Sequence, residues 1–190
     1  MHNPLLIDAV KTTLSKTKVE KLALIAADER FLIKDLIDLT FHQDEQIGFR
    51  AAWILENVYT KYPSRFLPQI EYFFEKLPQQ NNLSARRHYS KILAFITNKN
   101  AVAAIKEIIK TYNTDQLVET IFSWLIDESV PVAIKSHCLN ILANLSNKHS
   151  WIKEELLQTM DYLVDRESIA FYAKVKQIRK QLSVGKRSKL

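Results

Sequence analysis

"IGFRAAWILENVYTKYPSRF", residues 47–66, is the stretch that decides how the rest of the chain reads. Ile47, Ala51, Leu55 and Val58 recur at helical spacing and form one apolar stripe. Phe49 and Trp53 fall outside that stripe, among Arg50, Asn57 and Lys61. A helix this polar with apolar groups on more than one side suits a stacked array. There it touches its own partner helix and also the helices of the units before and after it, so its apolar arc has to be wide.

Working outward, the same pattern returns. Residues i, i+4, i+7/8 and i+11 are apolar at Ile47, Ala51, Ile54/Leu55 and Val58, then at Ala85, Tyr89, Ile92/Leu93 and Ile96. They are apolar again at Ile134, Cys138, Ile141/Leu142 and Leu145, and at Phe171, Val175, Ile178 and Leu182. The starts of these segments are offset by 38, 49 and 37 residues, close to a helix-turn-helix repeat with an insertion near 100–115. Partner helices are expected between them, over 30–41, 64–77, 114–127 and 151–164, giving about ten or eleven helices in all. Short polar breaks separate the segments, and Asp44, Thr114, Ser129 (with Pro131 just inside) and Ser150 are the expected N-caps.

Composition supports an all-helical reading. The 190 residues contain two glycines, Gly48 and Gly185, and five prolines. Sheet-rich and open α/β folds use glycine at turns and where backbone meets ligand. Two glycines cannot write G-x-G-x-x-G or a P-loop. No G-x-S-x-G, H-E-x-x-H or C-x-x-C occurs. His137 and Cys138 are adjacent, so on a helix they point about 100° apart and make a poor metal pair. Asp35 with Asp38, and Glu154 with Glu155, are the acidic pairs of solvated helix faces. The expectation is therefore no enzyme, no cofactor and no metal, with Cys138 a core residue.

"DEQIGFRAAWILENV", 44–58, resembles the second half of a HEAT unit: an acidic turn, an apolar residue, Arg50, the small Ala51 and Ala52, then Leu55. "DESVPVAIKSHCLNIL", 127–142, is a looser copy, and the resemblance to the HEAT or armadillo-like class covers most of residues 28–182. It implies a right-handed α-α superhelix in which the second helix of each unit lines the concave surface. It also implies a binding scaffold rather than a catalyst.

Aligning the four longer helices on 47, 85, 134 and 171 puts polar residues in columns. Three residues on lie Arg50, His88, His137 and Lys174; ten on lie Asn57, Phe95, Asn144 and Gln181; fourteen on lie Lys61, Lys99 and Lys148. Stacked units would align these columns into a polar, basic ridge with Trp53 beside it. The candidate partner-binding residues are thus Arg50, Trp53, Asn57, Lys61, His88, Lys99, His137, Asn144, Lys148 and Lys174. Lys34, Lys76, Lys106 and Lys153 are assigned to the opposite faces. Lysines near helix C-termini also complement the helix macrodipole in any protein, which is the plainer account of the lysine column.

The net charge of +6 suits an acidic protein partner or nucleic acid. A protein partner is the expectation, with phosphate contacts by the same lysines as the alternative. One helical-repeat domain is expected over 1–182, followed by a basic tail over 183–190, in a monomer or weak dimer. No apolar run approaches the length of a membrane span. "MHNPLLIDAVKTTLSK" is too short and broken for a secretory signal, so the cytoplasm is the expected location. Ser188, Lys189 and Leu190 spell a peroxisomal address, relevant only in a eukaryote.

Overall fold

A computed structural model describes residues 4–12, 14–28 and 31–184. The basic tail expected over 183–190 lies outside them except for its first two residues, which close the last helix. Every regular element among the described residues is helical. The helices are α1 (Pro4–Lys11), α2 (Lys16–Ala27), α3 (Ile33–Leu39), α4 (Glu45–Lys61), α5 (Pro63–Phe66) and α6 (Ile70–Lys76). They continue as α7 (Leu83–Ile96), α8 (Ala103–Thr111), α9 (Asp115–Ile126), α10 (Val132–Leu145), α11 (Ile152–Val164) and α12 (Ile169–Val184). A 3-10 turn carrying Pro68 joins α5 to α6, because proline cannot donate to the α ladder there. No helix among the described residues is long and apolar enough to cross a membrane.

The four periodic segments are α4, α7, α10 and α12, and the expected insertion is α8. Every position of the four stripes is buried, none more than 7% exposed. Hydrophobic burial, at roughly 25 cal/mol per Å2 of apolar surface, therefore fixes the phase of each helix. The chain divides into two compact units, residues 1–92 and 93–190. In the first, α4 is central and packs on α1, α2 and α3. In the second, α10 is central and packs on α9, α11 and α12.

Gly48 has a packing role in the first unit. A Cβ built on it would lie 2.8 Å from the carbonyl oxygen of Thr40 and 3.3 Å from Nδ2 of Asn82. Only a residue without a side chain lets the start of α4 pass so close to the end of α3. The same corner holds a buried polar knot. The Thr40 hydroxyl donates to the Ile37 carbonyl at 2.7 Å, so the Tyr89 hydroxyl must be the donor in the 2.7 Å bond to Thr40 Oγ1. Gln80 Nε2 donates to the same oxygen at 3.3 Å. Burial raises the Tyr89 pKa far above the ordinary phenol value.

Of the expected caps, Asp44 accepts from the Gln46 amide at 2.8 Å and opens α4 as read. Thr114 does sit at the head of α9, but its hydroxyl bonds His149 Nε2 at 2.6 Å, and Asn113 Oδ1 accepts from the Asp115 amide instead. Ser129 closes a turn with Asp127, and α10 begins after Pro131. Trp151, not Ser150, precedes α11. Two further caps are Ser15 at α2, and Asn82 at α7, whose Oδ1 accepts from the Ser84 and Ala85 amides.

Candidate functional site

In the first unit the relevant face is built by α4 and α7. Phe49 and Trp53, one helical turn apart on α4, stack with ring centroids 6.1 Å apart. The His88 ring of α7 lies 5.5 Å from the Phe49 ring. Phe49 and Trp53 are half-buried, and the His88 side chain is more deeply covered. Beneath them, Glu56 accepts from Lys91 Nζ at 2.5 Å and lies 2.6 Å from His88 Nδ1. Desolvation pushes the Glu56 pKa up, but the His88 and Lys91 hydrogen bonds and charges outweigh it and hold the group below the ordinary carboxylate value. Trp53 and His88 therefore belong to one surface, anchored by a carboxylate the sequence reading did not single out. The available signal was an acid on α4 facing His88 and Lys91, which are three apart on α7.

The other first-unit candidates have their polar groups engaged by neighbouring groups of the same unit. Arg50 Nη1 donates to the carbonyls of Val10 at 3.1 Å and Lys11 at 2.7 Å, capping the C-terminus of α1. Lys61 pairs with Glu20 of α2 at 2.9 Å. Asn57 donates to the Trp53 carbonyl of its own helix at 3.0 Å.

The second unit repeats the capping device. Lys148 Nζ donates to the carbonyls of Ile109 at 2.7 Å and Lys110 at 3.2 Å, and to that of Tyr112, closing the end of α8. Burial lowers the Lys148 pKa, and Asp115 partly opposes that shift. Lys174 is half-buried with a pKa lowered by desolvation, and it donates to Gln177 at 2.9 Å. His137 is half-buried on α10.

Lys99 and Asn144 line a groove of about 360 Å3, shared with Thr97, Asn147, Lys153 and Gln181. An amide ladder crosses it: Gln181 Nε2 donates to Asn144 Oδ1 at 3.0 Å, and Asn144 Nδ2 to Thr97 Oγ1 at 3.4 Å. The column read as Asn144 and Gln181 is thus a physical row in this unit. Lys153, assigned from sequence to the opposite faces, lines the same groove as Lys99, because its long stem carries the ammonium to the end of α12. There it donates to the Leu182 carbonyl at 2.9 Å. Among the described residues, no group of three or more His, Cys, Asp or Glu side chains could hold a metal.

The family model for the HEAT repeat domain matches residues 6–182, nearly the whole chain. The chain belongs to the HEAT repeat family. Its helix-turn-helix units and buried stripes are those of a HEAT repeat scaffold, a design that generally works by binding. Among solved structures, the crystal structure of an engineered protein is similar in fold, with a TM-score of 0.63 and 17% identity over 93% of this HEAT protein and 79% of the other. No curated protein matches the sequence.

Proposed function

We propose that this HEAT-repeat protein is a non-catalytic scaffold that holds a protein partner on the polar faces of its second helices. One observation carries the choice of a protein over a nucleic acid. Of the cations in the expected ridge, Arg50, Lys61 and Lys148 already serve carbonyls or a carboxylate within the fold. Phosphate-driven binding depends on several free cations releasing counterions together. What these faces offer instead is mixed: aromatic rings at Phe49 and Trp53, an amide row at Asn144 and Gln181, and the exposed ammonium of Lys99. Such a mixture of aromatic anchors and polar groups suits a protein surface.

The test is capture by the tagged full-length protein from an extract of its source cell, with and without nuclease. A protein partner retained after nuclease, with a shallow slope of log K against log salt, is the expected result. Loss of all bound protein on nuclease treatment, with a slope equivalent to several phosphates, would establish the nucleic-acid reading instead.

A further inference from the structure

The groove of the second unit has a polarity that follows from hydrogen counting. The Thr97 hydroxyl donates its single hydrogen to the Leu93 carbonyl at 2.9 Å. Towards Asn144 it is therefore an acceptor, which turns the Asn144 NH2 to it and the Asn144 Oδ1 to Gln181. Each bond in the row runs the same way, so Asn144 spends its oxygen internally and keeps an N–H in reserve. Lys153 uses one of its three hydrogens on the Leu182 carbonyl and keeps two. Lys99 is exposed and has no carboxylate partner among the described residues. Among the described residues, no Asp or Glu lines the groove, although the sequence has 21 of them. The result is a cleft that carries two ammonium groups and spare N–H donors, beside the side-chain oxygens of Asn147 and Gln181.

We infer that this groove binds a carboxylate presented by the partner, in an acidic segment lying between Lys99 and Lys153 and reaching the Asn144 amide. The inference rests on the protein-scaffold reading given above and names the chemistry of its partner. A carboxylate offers several acceptor sites and no donors, the complement of the Lys99 and Lys153 ammonium groups and the spare Asn144 N–H. An Asp or Glu side chain and the terminal carboxylate of a polypeptide both present that group.

The experiment is an NMR titration of the 15N-labelled full-length protein, following backbone and Asn/Gln side-chain amides. The probes are acetyl-hexaglutamate amide, acetyl-hexaglutamine with a free C-terminus, acetyl-hexaglutamine amide and oligothymidylate. Saturable shifts confined to Asn144, Asn147, Gln181 and the Lys99 turn are expected with hexaglutamate. Shifts with the free-terminus peptide but not with hexaglutamate would overturn the acidic segment and assign the site to a C-terminal carboxylate instead. Joint replacement of Lys99 and Lys153 by Gln should weaken binding about ten-fold or more, since charge-assisted bonds are lost. Joint replacement of Lys34 and Lys106 by Gln, with the same loss of charge, should leave it unchanged.

No saturable shift with any carboxylate probe, an equal shift from hexaglutamine amide, or equal losses in the two double variants would overturn the inference. So would stronger groove shifts from oligothymidylate at equal salt. A captured protein partner that binds the Lys99/Lys153 variant as well as the wild type would overturn the inference and leave the scaffold reading standing. Hexaglutamate saturation without any captured protein partner would do the reverse.

Discussion

His88 Nδ1 lies 2.6 Å from Glu56 Oε2, with both side chains only 12% exposed. This contact, together with Lys91, holds the Glu56 carboxyl below its ordinary value of 4.5. A depressed carboxylate contributes stability that is fully present above the unfolded value and is lost as pH falls through the folded one. Glu56→Gln should therefore lower stability at neutral pH by about 1–3 kcal/mol. The gap between variant and wild type should narrow steadily below about pH 4.5. Urea melts at several pH values check this; a gap that stayed constant into acid would mean that the carboxylate charge is irrelevant.

Gly48→Ala puts a methyl group 2.8 Å from the Thr40 carbonyl oxygen, which belongs to backbone and cannot swing away. The variant should lose about 1–3 kcal/mol through overpacking. Thermal melts report it, and an unchanged Tm would show that α3 and α4 can separate at no cost.

Arg50 and Ala51 provide a paired test. Ala51 is fully buried, so Ala51→Arg should be severely destabilising, through an unpaired buried charge and overpacking. From sequence, Arg50→Ala is expected to cost little. The structure revises that expectation, because Arg50 satisfies two end carbonyls of α1. Arg50→Ala should cost about 1–2 kcal/mol, with lost hydrogen-exchange protection concentrated in α1. Protection lost evenly across the first unit would rule out a local cap.

Lys135 is fully buried and bonds Glu167, which is 19% exposed at its side chain. Glu167→Ala strands a buried ammonium and should cost about 3–5 kcal/mol, whereas Lys135→Met leaves a partly hydrated carboxylate and should cost less. Equal costs in chemical denaturation would argue that Lys135 relaxes to solvent.

The stripes of α4, α7, α10 and α12 were legible because burial imposes one periodicity on any helix packed along one face. Phe49 and Trp53 could be set aside as the exceptions for the same reason. The destinations of Arg50, Lys148 and Lys153 were not legible. Each reaches backbone carbonyls 29 to 40 residues away in sequence, and helical periodicity carries no information about which helix end arrives beneath a given side chain. Long cationic stems also loosen the link between the face a residue occupies and the place its charge is delivered. Lys153 shows this directly: its helix position indicated one layer and its ammonium lies in the groove of another. Thr114 was legible as a helix start but not as a partner of His149, because that bond is made by a loop that folds back from the end of α10.

Cys138 is the single cysteine of the sequence, and it is fully buried on α10, the central helix of the second unit. The natural sequence thus carries a built-in clock for one unit and none for the other. A thiol reagent can react only when α10 is uncovered, so its rate in native buffer reads the opening equilibrium of residues 93–190 alone. Compared with global unfolding measured by circular dichroism, that rate tells whether the two units open together or one at a time, with no label or substitution introduced.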